Sequence, residues 1–129
     1  MRQIIRIPRI VLEWSAWVAW DELLLDARRS GAVRVPNRRA GVYEVKYVDE
    51  DEKLAIGKAA NLRMRVERGL VKGKTPHSAG KRIRASEKDT SRIVVRWAAT
   101  DKPACVEEEL HRLHREEFDG RLPKYTRHT

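Results

Sequence analysis

Lys58 and Arg65 stand seven residues apart in the stretch AIGKAANLRMRV, Ala55 to Val66, directly after Gly57. A glycine at a strand end lets the backbone turn sharply and lets a ligand approach it closely. A helix opening there would present unpaired N–H groups and the positive end of its dipole, both suited to a phosphate. Lysine and arginine on that helix would then hold an anionic substrate. Taken alone, the segment reads first as a tight strand-to-helix connection with surface bases.

Charge favours the phosphate reading. The 129-residue chain carries 28 Lys+Arg against 19 Asp+Glu, a net +9. That balance points to nucleic acid, or to an anionic membrane surface, before a neutral metabolite. Eleven of the bases and three of the acids fall between Lys58 and Arg92, whereas Asp49 to Glu52 is wholly acidic. Arg63, Arg68, Lys72, Lys74, Lys81 and Arg82 therefore join Lys58 and Arg65 as candidate nucleic-acid contacts. The single cysteine, Cys105, rules out an internal disulfide and a CxxC zinc site, and reads as a small buried residue. No apolar run approaches the length of a membrane span and no long apolar leader core opens the chain. The expectation is a protein of the reducing cytoplasm with no membrane partner.

Periodicity suggests the elements that position these residues. Glu13 to Arg29 has helical spacing, with Trp17, Trp20, Leu24 and Ala27 on one face, Ser15 as N-cap and Gly31 as stop. It reads as an N-terminal helical extension, residues 1–38, packed by its tryptophans onto a domain of residues 39–129. The tryptophans could instead form a partner interface. Val42 to Val48 alternates, with Tyr43, Val45 and Tyr47 on one side, so it reads as a strand. Asp49 to Glu52 turns it into a second strand ending at Gly57, an antiparallel hairpin.

The following helix buries Ala59, Leu62, Val66 and Leu70 and turns Asn61, Arg65 and Arg68 to another face. Lys72 to Gly80, with two glycines and Pro76, reads as a mobile loop carrying His77, followed by a helical turn at Lys81 to Ala85. Arg92 to Ala99 is the third strand, with Ile93, Val95 and Trp97 on one side. Thr100 or Asp101 caps a last helix with Pro103 in its first turn. This helix turns Val106, Leu110, Leu113 and Phe118 to the core. Glu107, His111 and His114 share its adjoining face, at a spacing that can chelate zinc or manganese but that no second segment clearly completes. The expected fold class is α+β, a three-stranded antiparallel sheet flanked by helices.

These residues also follow a known order. GVY at Gly41 to Tyr43 precedes AIG at Ala55 to Gly57, then come Lys58, Arg65, a basic loop with His77, a third strand, and Glu107 in EEEL. Pro123, Lys124 and Tyr125 close the series. The set resembles the GIY-YIG nuclease superfamily, which includes homing and restriction endonucleases and the nuclease half of a bacterial excision-repair subunit. The resemblance runs from Gly41 to about Thr126. Two positions depart from the pattern: Ala55 replaces the second motif's tyrosine, and Thr126 stands where an asparagine is usual.

The resemblance implies a divalent-metal-dependent endonuclease, a hydrolase of DNA phosphodiester bonds. RNA stays open beside DNA, and a homodimer making paired nicks is compatible with the sequence. Cleavage needs an activated water, neutralised charge on the phosphorus centre and a stabilised leaving oxygen. By the resemblance Glu107 holds a Mg²⁺ (or Mn²⁺) ion, which needs few protein ligands. Arg65 contacts the scissile phosphate through its fork of donors, and Lys58 adds charge. Tyr43 is the general base, its pKa of about 10 lowered by cations. Neutral His77 is the alternative proton acceptor. In the family the missing tyrosine places a hydroxyl near the scissile phosphate. The alternative is therefore a nucleic-acid-binding module that keeps the fold and has lost efficient cleavage.

Overall fold

A computed structural model of the chain describes residues 10–25 and 34–126. The alternating segment and its partner form the expected hairpin. Strand β2 (Gly41–Tyr47) and strand β3 (Lys53–Ala59) pair antiparallel, with Tyr43 opposite Gly57 and Val45 opposite Ala55. Strand β4 (Ile93–Ala99) lies antiparallel on the other side of β2, Trp97 opposite Tyr43. The period of two sends Tyr43, Val45, Ile93, Val95 and Trp97 into the main core with Leu62, Val66, Leu70 and Ile83. The other face buries Val42 and Ala98 against Val106. Burial on both faces leaves one charge to satisfy inside β2. Glu44 accepts a 2.7 Å bond from Nε of Arg96, its cross-strand partner.

The sheet has four strands, not three, in the order β1-β4-β2-β3. The extra strand, β1 (Val18–Ala19), comes from the segment expected to be helical, and pairs antiparallel with β4. Of that helix only α1 (Trp20–Leu23) forms among the described residues. Ala27 and the stop at Gly31 lie outside them. A bare β4 edge would leave backbone groups unpaired, and the segment satisfies them instead of its own helix. The Ser15 amide donates to the Trp97 carbonyl at 2.8 Å, and the Trp97 amide donates to Ser15 Oγ at 3.0 Å. The threefold tryptophan spacing has another cause: Trp14 and Trp17 both stack on the Arg96 guanidinium, 4.1 and 4.5 Å from the ring centroids. Trp20 and Leu23 do enter the core.

Strand β3 continues through Gly57 to Ala59, so no helix opens at the glycine and Lys58 is an exposed strand residue. The helical segment starts at Arg63. It is a π helix, Arg63–Val71, in which the Lys72 amide bonds back five residues to the Glu67 carbonyl at 3.0 Å. Gly57 is required for a different reason. A Cβ there would fall on the hydroxyl and ring of Tyr43, which lies across the glycine from the neighbouring strand. Gly57→Ala is expected to displace the ring and lower stability by about 1–3 kcal/mol, measured by urea unfolding. An unchanged midpoint would contradict that packing.

Helix α2 (Ser78–Ser86) contains the helical turn expected at Lys81 to Ala85 and takes in only the last three residues of the expected loop. Helix α3 (Pro103–Glu117) has its proline in the first turn as expected, with Lys102 rather than Thr100 or Asp101 at the N-cap. Along α3, Val106 is buried and Leu110 and Phe118 half-buried, but Leu113 is 46% exposed. Cys105 is exposed as well, not buried. Among the described residues no helix is long and apolar enough to cross a membrane.

Candidate active site

Strand β3 is the edge of the sheet, and helix α3 with the C-terminal tail seals it. The Lys53 amide donates to His114 Nε2 at 3.2 Å, the Tyr125 amide to the Leu54 carbonyl at 2.8 Å, and the Ile56 amide to Thr126 Oγ1 at 3.1 Å. His111 Nε2 lies 3.2 Å from the Ile56 carbonyl. His114 and His111, one helical turn apart on α3, thus meet the two ends of this outward-facing stretch of backbone, and the tail fills the groups between them. Glu107, one turn further on, is the next side chain on that face and points into the open end of the seam. The face that looked like a chelate is a strand cap that ends in a carboxylate.

At that open end lies a cleft of about 580 Å³, lined by Tyr43, Lys58, Arg65, His77 and Glu107 together with Arg82 and Thr126. All five residues expected to be catalytic line it. They come from two strands, the π helix, the start of α2 and α3. Ala55, in contrast, is fully buried in the main core and does not line the cleft.

Tyr43 and His77 form the buried wall, the tyrosine oxygen 2.7 Å from His77 Nε2. The other ring nitrogen settles the direction of this bond. Nδ1 of His77 accepts the Gly80 amide at 3.0 Å as the N-cap of α2, so it carries no proton. The neutral ring is then protonated on Nε2 and donates to the tyrosine oxygen. His77 is thus a donor to Tyr43 and not the acceptor of its proton. Burial, followed by the charges of Arg65 and Arg84, pushes the His77 pKa down to about 3.

Tyr43 itself is pushed up to about 12, first by burial, with Arg65 opposing the rise and the Glu107 carboxylate adding to it. The Arg65 side chain is aimed by a bond from Nη1 to the Pro76 carbonyl at 3.2 Å.

The His77 shift has a stability consequence. A histidine depressed from 6.5 in the unfolded chain to about 3 stabilises the fold fully above pH 6.5 and progressively less as pH falls toward 3. Stability at pH 5 is therefore expected to be about 2 kcal/mol below that at pH 7.5 from this residue alone. His77→Asn, which can still cap α2, is expected to flatten the urea-midpoint slope against pH by about one proton. An unchanged slope would contradict the neutral, buried ring. His114, also pushed down by burial, adds to the same acid lability in both proteins.

Several bases named from composition serve the fold. Nε of Arg63 donates to the Val35 carbonyl at 2.8 Å, and Lys72 pairs with the buried Glu67 at 3.1 Å. Arg82 lines the cleft but also holds the Tyr125 carbonyl. Arg68, Lys74 and Lys81 are exposed outside the cleft, the two lysines lining an adjoining basin. Arg84 was not distinguished from its basic neighbours in the sequence, yet it binds the Gly69 and Leu70 carbonyls and fixes the π helix against α2.

For a metal, the donor set is decisive. Among the described residues no group of three His, Cys, Asp or Glu side chains is arranged to hold an ion. His111 and His114 are committed to the backbone, so the zinc chelate does not form. Glu107 is half-buried, borders the cleft, and makes no hydrogen bond or ion pair among the described residues. One free carboxylate facing water fits Mg²⁺, which keeps most of its waters, better than it fits zinc.

Comparison with protein-family models, curated proteins and solved structures finds no match for this chain.

Proposed function

We propose that the chain is a divalent-metal-dependent endonuclease of GIY-YIG type, hydrolysing phosphodiester bonds in DNA. The observation that carries this reading is the convergence of Tyr43, Lys58, Arg65, His77 and Glu107, scattered over 65 positions of sequence, in one cleft. Arg65 binds the scissile phosphate, its fork of donors matching two phosphate oxygens, and Lys58 supplies a further charge at the rim. Tyr43, after losing its own proton to solvent, takes a proton from the attacking water as the tyrosinate and returns to the phenol. Its anion is stabilised by Arg65 and by the His77 Nε2–H, a donor fixed in place before the charge develops. Glu107 would hold a Mg²⁺ or Mn²⁺ ion, which supplies positive charge to the phosphate and leaving oxygens. The same ion would offset the carboxylate that now raises the Tyr43 pKa. A cytoplasmic location and DNA as partner belong to the same proposal.

One observation favours a second reading, a nucleic-acid-binding module without efficient cleavage. Tyr43 sits in a site that holds its proton tightly, and no second tyrosine reaches the cleft. A labelled duplex oligonucleotide separates the two. The nuclease cuts it internally in Mg²⁺ or Mn²⁺ and stops in EDTA, while binding persists in EDTA and weakens steeply with salt. Salt-sensitive binding without cutting in either metal identifies the binding module, and no such binding overturns both readings.

A further inference from the structure

Beside the cleft lies a second depression that the chemistry above does not use. It is a basin of about 690 Å³ lined by Gly73, Lys74, Thr75, Pro76, His77, Ser78, Lys81 and Arg84. His77 and Ser78 line both depressions, so the two adjoin at the start of α2. We infer that the basin binds a second phosphate of the same nucleic-acid strand, through Lys74, Lys81 and Ser78, beside the phosphate held at Arg65. The inference rests on the nuclease reading of the cleft and specifies its substrate: a polymer gripped at a flanking phosphate on the α2 side.

The lining defines the ligand's chemistry. It contains three basic side chains and no carboxylate. Arg84 is committed to the Gly69 and Leu70 carbonyls and packs against Gly73, whose φ of +68° bends the chain around it. The basin floor is therefore fixed before any ligand arrives. Lys74 and Lys81 are exposed, and their ammonium groups have no carboxylate or carbonyl partner among the described residues.

Ser78 opens a nine-residue helix, where the first amides have no intrahelical acceptor. His77 caps the Gly80 amide, and Ser78 itself lines the shared rim. No exposed aromatic ring lines the basin, since the His77 ring is buried with both nitrogens engaged. The site thus offers charge and N–H donors and no stacking surface, which selects phosphate over a base.

The test is the salt dependence of binding to a DNA duplex in EDTA, where no cleavage interferes. Lys74→Ala/Lys81→Ala is compared with the native chain and with Lys88→Ala/Arg115→Ala, a charge-matched change of two exposed bases elsewhere. Loss of one phosphate contact is expected to flatten the slope of log Kobs against log[salt] by about 0.9 in the first variant and leave it unchanged in the second. Equal flattening in both overturns the inference, as does none in either. A methylphosphonate scan along the duplex supplies an independent reading. One neutralised linkage should weaken native binding and leave the Lys74/Lys81 variant unaffected; if no linkage behaves so, the basin holds no phosphate. Cutting of the same duplex by the native chain in Mg²⁺ is scored separately, so failure of the nuclease reading is distinct from failure of this one.

Discussion

Tyr43→Phe is expected to lower the rate of DNA cleavage by about 10²–10⁴-fold, the usual worth of a positioned general base, with little change in DNA affinity. The ring is what packs across Gly57, and phenylalanine keeps it. Only the oxygen is lost, and with it the acceptor 2.7 Å from His77 Nε2. Leaving that buried N–H unpaired is expected to cost about 1–3 kcal/mol, so the rate must be measured well below the unfolding transition. Single-turnover cleavage of a labelled duplex, with affinity measured in EDTA, separates chemistry from binding. A variant that cuts within twofold of the native rate would remove Tyr43 from the mechanism. His77 could not take its place, because its Nε2 already bears the proton and its Nδ1 is bonded to the Gly80 amide.

Glu107→Gln carries the second large effect, and here two influences pull in opposite directions. The carboxylate raises the Tyr43 pKa, so neutralising it makes the phenol easier to ionise. If Glu107 were only a nearby charge, the variant would cut at least as well as the native chain. If it holds the metal, cleavage should fall by about 10³-fold or more, because the charge that stabilises the phosphate and leaving oxygens goes with it. The expected outcome is loss of cleavage together with a lower ionisation midpoint for Tyr43, read by ultraviolet titration against Tyr43→Phe. Metal-free DNA binding should be retained or strengthened, since a negative charge leaves the cleft. Faster cleavage in Glu107→Gln would contradict a metal role.

Local periodicity made the hairpin, β4 and α3 legible, because alternation at Tyr43, Val45 and Tyr47 and a proline at a helix start are local signals. The N-terminal segment departs from its helical spacing for a non-local reason. Its tryptophans have helical spacing, yet Arg96 and the bare edge of β4, far along the chain, decide their conformation. His77 looked like a loop residue because Gly73, Pro76 and Gly80 surround it. Its capping of Gly80 depends on its own side chain, and a histidine is not among the preferred cap types.

The five catalytic candidates were legible only as an ordered set. Neither the strand-capping roles of His111 and His114 nor the crossing of Gly57 by Tyr43 follows from spacing, since each requires knowing which strand lies at the edge and which residues pair across the hairpin. Ala55 shows the same limit. It marks a departure from the motif in sequence, and in space it is a core residue opposite Val45.

Nicking of covalently closed, supercoiled plasmid in Mg²⁺ tests the central claim most directly, because a circle offers no ends and only an internal cut relaxes it. The native chain is compared with Arg65→Ala and Glu107→Ala purified in the same way. A cleft that works through Arg65 and Glu107 predicts metal-dependent nicking by the native protein and its loss in both variants. Equal nicking by all three proteins, or none by the native chain in Mg²⁺ and Mn²⁺, would contradict it.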